Sequence, residues 1–237
     1  MSYILNNYIV KNTTNFEPVI KDSSVLKEQS LEQYIINKLT PYYNQSIEFL
    51  KNKFNIPYQI SNKSFTYLLA KGMLNVVNEK IEEFEKANIK IKAIRLNKNG
   101  MPKEHMSFPA FKYTEIVNET WENSELYETF SATRYLFMVY QYLDDDSLIF
   151  KKAMFWNVPQ NDLNNEIKRV WEDTVHRIKN NKYDNLPKST ESPILHVRPH
   201  DSKCIFNCPT PDGNLYKKQC FWFNKEYIKK QIENDIN

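Results

Sequence analysis

Glycine is scarce in this chain: 237 residues contain three, Gly72, Gly100 and Gly213, far apart from one another. A Walker loop or a dinucleotide fingerprint needs clustered glycines to bring backbone N–H groups onto phosphate, so both are excluded. Cysteine is nearly as rare. Three residues, an odd number, argue against a disulfide framework and for a reducing, cytoplasmic setting. No apolar run approaches the roughly 20 residues that span a bilayer. The start, Met1-Ser-Tyr-Ile-Leu-Asn-Asn7, lacks the basic-then-apolar layout of a secretory signal. A G-x-S-x-G elbow is absent as well, which leaves nucleophilic hydrolysis without support despite His105, His176, His196 and His200.

What remains is the composition of a globular protein, 41% hydrophobic and 26% charged, with length for a sizeable core. The net charge of +3 is unevenly spread. Residues 1–150 carry 17 basic and 18 acidic side chains, whereas 151–237 carry 15 and 11. Residues 90–105 hold five basic groups against one acid. Such a stripe suits a phosphate backbone, and equally an ordinary lysine-rich surface.

Residues 1–29 are polar and irregular and read as an arm or linker, leaving 30–237 as the folded domain. Ser30 and Gln33 form a capping-box pattern, followed by Leu31, Ile35 and Leu39 at helical spacing. Pro41 interrupts before Ile47 and Leu50 resume the pattern. A second helix is predicted over 64–77, with a charged continuation to Phe84. Ile89–Leu96 alternates as a strand, Asn97–Gly100 reads as a turn and 106–111 as a shorter extended piece. Two aromatic, β-branched runs, 134–143 and 148–158, flank Asp144-Asp-Asp-Ser147 and predict a hairpin. Leu163, Ile167, Val170, Trp171, Thr174, Val175 and Ile178 mark one face of a helix over 161–180. Strands at 194–198 and 220–223 and a basic helix over 224–233 complete an α/β (α+β) mixed sheet flanked by helices.

Four groupings could carry chemistry. His196, His200, Cys204 and Cys208 are zinc-ligand types at intervals of four, but Pro199 and Pro209 interrupt the helix such spacing requires, so buried thiols and a polar histidine compete with a metal. Asp144, Asp145 and Asp146 could hold a hard cation, although Asp also favours tight turns. His196-Val-Arg-Pro-His200 and Tyr216-Lys-Lys218 offer an arginine fork and cations for guanine edges and phosphates. Pro199 would hold Arg198 extended, yet a structural arginine paired with a carboxylate fits the same spacing. The acidic run Glu79–Glu85 stands immediately before the strand at 89–96.

Several blocks together resemble a known family: Lys92–Lys98, Lys103–Phe111, Trp121–Ser124, Arg169–Val175, His196–His200, Lys218–Phe223 and Tyr227–Ile232. They are similar to the MutH-like domains of GATC-specific restriction endonucleases of the Sau3AI type, over nearly the whole chain. The resemblance implies a restriction-endonuclease-like fold and two related domains per enzyme. One cuts DNA with Mg²⁺ through an Asp and a Glu-x-Lys motif, and the other keeps the fold with the site eroded. This chain resembles the second. By position, Glu83 stands for the metal-binding Asp, Lys90 for the Glu, and Lys92 keeps the lysine. An ammonium at the acid position would repel the ion, so no metal or cofactor is expected in this chain. Mg²⁺ is expected only in an associated catalytic domain.

The resemblance also implies GATC duplex as partner and a dimer as a possible state on DNA. Arg198, His200, Tyr216, Lys217 and Lys218 would face DNA, where His200 replaces the family's lysine. Lys92, Arg95, Lys98 and Lys103 would line the remnant cleft. Two rivals stay open: an active Mg²⁺-dependent nuclease recruiting Glu79, Glu82, Glu83 or Glu85, and a module that docks on the catalytic domain without touching DNA.

Overall fold

The computed structural model describes residues 15–199 and 207–234. In chain order the elements are β1 (Phe16–Glu17), α1 (Leu31–Leu39), α2 (Ile47–Lys53), α3 (Phe65–Leu74), β2 (Lys80–Ile81), α4 (Glu82–Lys86) and β3 (Ile89–Leu96). There follow β4 (Met106–Ala110), α5 (Tyr113–Ile116), α6 (Glu125–Ala132), β5 (Arg134–Tyr142) and β6 (Leu148–Trp156). The last part holds α7 (Lys168–Lys179), β7 (Leu195–Arg198), β8 (Asn207–Pro209), β9 (Leu215–Lys217), β10 (Cys220–Phe223) and α8 (Lys225–Glu233). The chain divides into two compact units that alternate along the sequence. Unit 1 is Met1–Lys98 with Thr133–Trp156, and unit 2 is Asn99–Ala132 with Asn157–Asn237.

Unit 1 is built on a three-stranded sheet of order β3-β5-β6, parallel between β3 and β5 and antiparallel between β5 and β6. A parallel pair needs a long crossover, and residues 97–133 supply it. Alternation gives β3 two faces. Ile89 and Ile91 join Leu136, Met138, Tyr140, Phe150 and Ala153 in a core capped by α1, α2 and α3, where Ile35, Leu39, Leu50 and Leu69 are fully enclosed. The helices start where short polar side chains replace the missing backbone partners. Ser30 Oγ accepts the Gln33 N–H at 3.2 Å, and Ser46 Oγ that of Phe49 at 3.2 Å. Only half of the predicted capping box forms, because the Gln33 amide turns to Asn37 at 2.8 Å. The helix predicted over 64–77 stops at Leu74, since Asn75 adopts a left-handed φ of 57° and accepts the C-terminal role. Its charged continuation is therefore not helical throughout: β2 intervenes before the short α4.

The polar stretch predicted as an arm is described from residue 15, and there it is tied to unit 1. β1 pairs in parallel with β2, and Val19 is buried. Between β5 and β6 the predicted acidic turn forms as a turn. Asp146 takes φ 63°, and Asp145 Oδ1 accepts the Ser147 N–H at 3.0 Å.

Unit 2 carries a second three-stranded sheet, antiparallel, of order β4-β10-β7. Phe108, Phe130 and Phe223 meet with ring centroids 4.7–5.1 Å apart. Aromatic contacts of this geometry add to what area burial supplies. The predicted helix over 161–180 is present, but its first part, Leu163–Ile167, is wound as a π-helix before α7 begins. A small hairpin, β8 to β9, was not foreseen. It turns through Thr210–Asn214, with Gly213 at φ 84° in the left-handed region that glycine tolerates.

Candidate nucleic-acid interface

The three positions that the resemblance assigns to the metal motif all fall in unit 1. Glu83 lies on α4, half-buried, and both its oxygens are taken. Oε2 accepts the Val19 N–H and Oε1 the Ile20 N–H, each at 2.9 Å. Lys90 is exposed on β3. Lys92, two residues on, shares its face with Lys90 and is half-buried opposite Phe137. That face continues through Tyr135, Met154 and Trp156, with Phe137 and Trp156 stacked at 5.0 Å. Burial pulls the Lys92 ammonium down to about 8, because a charge is poorly solvated beside aromatic rings.

These residues do not fit a divalent ion. The Glu83 carboxylate is fixed by a backbone N–H on each oxygen, and Lys90 brings positive charge, which repels a cation, to the second position. The rest of the acidic run is dispersed. Glu82 pairs with Lys86, Glu85 with Lys80 at 3.5 Å, and Glu79 is exposed. Of the zinc-type residues, His196 is engaged elsewhere, while His200 and Cys204 lie outside the described residues.

The predicted basic stripe separates on inspection. Arg95 falls on the opposite face of β3 from Lys92. Lys98 is held by the hairpin turn, 2.9 Å from both the Asp144 carbonyl and Asp146 Oδ1. Lys103 is exposed and belongs to unit 2.

Unit 2 holds the Arg-Pro block. Arg198 ends β7 with its side chain exposed, and its guanidinium lies 4.1 Å over the ring of Trp222 on β10. Trp222 also donates Nε1–H to the Arg198 carbonyl at 3.1 Å. Among the described residues no carboxylate pairs with this guanidinium. The ring of His196 lies nearly parallel to that of Trp222, at 15° and 6.5 Å between centroids. His196 is buried, with Nδ1 2.6 Å from Asn224 Oδ1, and His105 meets it edge-on at 4.8 Å. Burial, reinforced by His105 and Arg198, holds His196 down at about 4, so it is neutral near pH 7.

Tyr216, Lys217 and Lys218 flank the hairpin end. The Tyr216 hydroxyl bonds to Asp184, and its ring packs on Tyr183 at 5.7 Å. Burial first, then Asp184, pushes its phenol up to about 12. The lysines are exposed. Sequence reasoning missed Trp222, Asn224 and Asp184 as the partners that orient these groups. Their signal was weak, since each belongs to a block whose spacing says nothing about who faces whom.

A family model described as the DNA mismatch repair enzyme MutH matches residues 74–169, the segment that holds β3 and the motif positions. Across 287 aligned positions the chain is 33% identical to the type II restriction enzyme Sau3AI of Staphylococcus aureus, covering 99% of this chain. The chain belongs to the MutH-like restriction-endonuclease family. Its mixed sheet with flanking helices is the restriction-endonuclease-like fold. The MutH-like chain spans 57% of that relative's length, and the alignment exceeds its 237 residues by 50 positions, so the relative carries additional residues within the matched span.

Proposed function

We propose that this chain is a DNA-binding domain of a type II restriction system that recognises GATC duplex without cutting it. It would act as the second-site or allosteric half beside a separate catalytic MutH-like domain, in the cytoplasm, with dimerisation on DNA as a further expectation. The observation that carries the proposal is the state of the motif: Glu83 spends both oxygens on Val19 and Ile20 while a lysine occupies the next position. In-line phosphodiester displacement by this family needs carboxylates that hold Mg²⁺, so the ion belongs to the partner domain and none is resident here. Arg198, free of any described carboxylate, supports base or phosphate contact. Lys217, Lys218, Lys92 and Lys103 supply further cations, with His200 alongside them in the sequence.

Two assays test the reading. The isolated chain is incubated with Mg²⁺ and a GATC plasmid, and gel retardation compares GATC with scrambled duplexes at two salt concentrations. The expected result is no cleavage, a steep salt dependence from counterion release and tighter retardation of GATC. Cleavage that vanishes in Lys92→Ala would restore the active-nuclease reading. Negligible retardation of both duplexes would favour a module that only docks on protein.

A further inference from the structure

We propose that Trp222 is a positioning residue that turns Arg198 into a fixed base-reading fork rather than a mobile charge near phosphate. The inference rests on the DNA-binding reading above and adds the device that would give it sequence discrimination.

Two separate contacts join the same pair of side chains. The indole face carries the guanidinium at 4.1 Å, and the indole N–H fixes the Arg198 carbonyl at 3.1 Å. Backbone and side-chain tip are thus set by one residue. Pro199 adds a third restriction by keeping Arg198 extended. The indole lies against the guanidinium, whose N–H donors form a planar fork along its edge that matches guanine O6 and N7.

The platform under the arginine is itself anchored. Trp222 pairs with His196 across β10 and β7, and the two rings lie nearly parallel. His196 is held by Asn224, whose amide donates to the Ser192 carbonyl at 2.7 Å. His105 closes the stack and accepts the Lys225 N–H at 3.0 Å through Nδ1. Half-buried His105 thus meets buried His196, which pairs with buried Trp222, and exposed Arg198 lies over the Trp222 ring. A flexible arginine neutralises phosphate equally well from many rotamers. A guanidinium braced by buried layers has a geometric task, and reading a base edge is the one its free edge suits.

Fluorescence anisotropy of the full chain with GATC and scrambled duplexes of equal length, across a salt series, tests this. Wild type is compared with Arg198→Ala, Arg198→Lys, Trp222→Phe, Trp222→Leu and the Trp222→Leu/Arg198→Ala double variant, each checked by thermal melting. Trp222→Leu is expected to lose about tenfold in the ratio of GATC to scrambled affinity, one bidentate contact's worth, while scrambled binding and the salt slope stay within twofold. Trp222→Phe keeps a ring face and recovers part of the ratio. Arg198→Lys keeps the charge but lowers the ratio, and the double variant matches Arg198→Ala alone. An unchanged ratio in Trp222→Leu or Arg198→Lys, equal loss on both duplexes, or additive effects would overturn the role of Trp222. Should Trp222→Leu not fold, Trp222→Phe and Arg198→Lys decide by the same criteria. Wild type that discriminates while Arg198→Ala discriminates equally well sinks this inference alone. Wild type that binds neither duplex sinks the DNA-binding reading with it.

Discussion

Glu83 accepts the backbone N–H of Val19 at 2.9 Å across 64 residues of sequence, and its other oxygen takes that of Ile20. This carboxylate, proposed above to stand at the metal position, clasps the segment that contains Val19 and Ile20. Restoring the neighbouring acid alone should therefore not restore a metal site. Lys90→Glu is expected to show no Mg²⁺-dependent cleavage of GATC plasmid and no Mg²⁺ heat signal in calorimetry. Appearance of either would show that the clasp opens for the ion. Glu83→Ala leaves two N–H groups without their acceptor and should lower stability by about 1–3 kcal/mol in urea melts.

Lys92 offers a test with a defined sign. Its folded value, about 8, lies below the ordinary 10.5 of a lysine. The unfolded chain thus binds the extra proton between those values, and stability rises with pH across that window. Below pH 8 the full penalty of the buried charge applies. Lys92→Met should accordingly stabilise the protein at pH 7, by about 1–3 kcal/mol. The gain should shrink as pH climbs from 8 toward 10.5. Melting curves at pH 7 and 10 of both proteins check this, and a destabilised variant at pH 7 would contradict it.

His196 produces the same sign in the acid range. Its folded value of about 4, set first by burial, lies below the ordinary 6.5. Between these values the unfolded state takes up the proton, so stability falls as pH drops from 6.5 to 4, by up to about 3 kcal/mol. Wild type should lose more melting temperature across this window than His196→Gln. A parallel decline of the two proteins would assign the acid sensitivity to other groups.

Gly72 sits within α3, where alanine normally stabilises a helix. Here a Cβ would lie 2.7 Å from Phe54 Cγ and 2.8 Å from its Cδ1. Gly72→Ala is expected to destabilise by about 1–3 kcal/mol through overpacking. Chemical denaturation measures it, and a more stable variant would mean that Phe54 swings aside.

The parts of the fold that the sequence disclosed are those governed by local chemistry. Ser30 starts a helix through its own hydroxyl, Pro41 breaks one, and β5–β6 announce themselves by aromatic runs around three aspartates. The parts it concealed depend on distant neighbours. Nothing near Glu83 says that Val19 and Ile20 will claim it, and nothing near Arg198 says that a tryptophan 24 residues away will carry it. The hairpin at Thr210–Asn214 was an exception, since its Pro-Asp-Gly run is a local turn signal that stood in the sequence unused. Of the site, the block identities were legible and the facing partners were not. The basic stripe failed as a group because alternation sends Arg95 and Lys92 to opposite faces of one strand.

The register of β3 on β5 has a consequence for how the chain is made. Ile89 to Leu96 pair residue for residue with Arg134 to Gln141, yet Asn99–Ala132 fold into the other unit. As the polypeptide leaves the ribosome, β3 emerges without its neighbour and must wait for more than thirty further residues before its hydrogen bonds can close. During that interval an apolar strand edge is open to any other nascent chain. The two lysines on β3, of which Lys92 is costly once folded, keep that waiting edge charged.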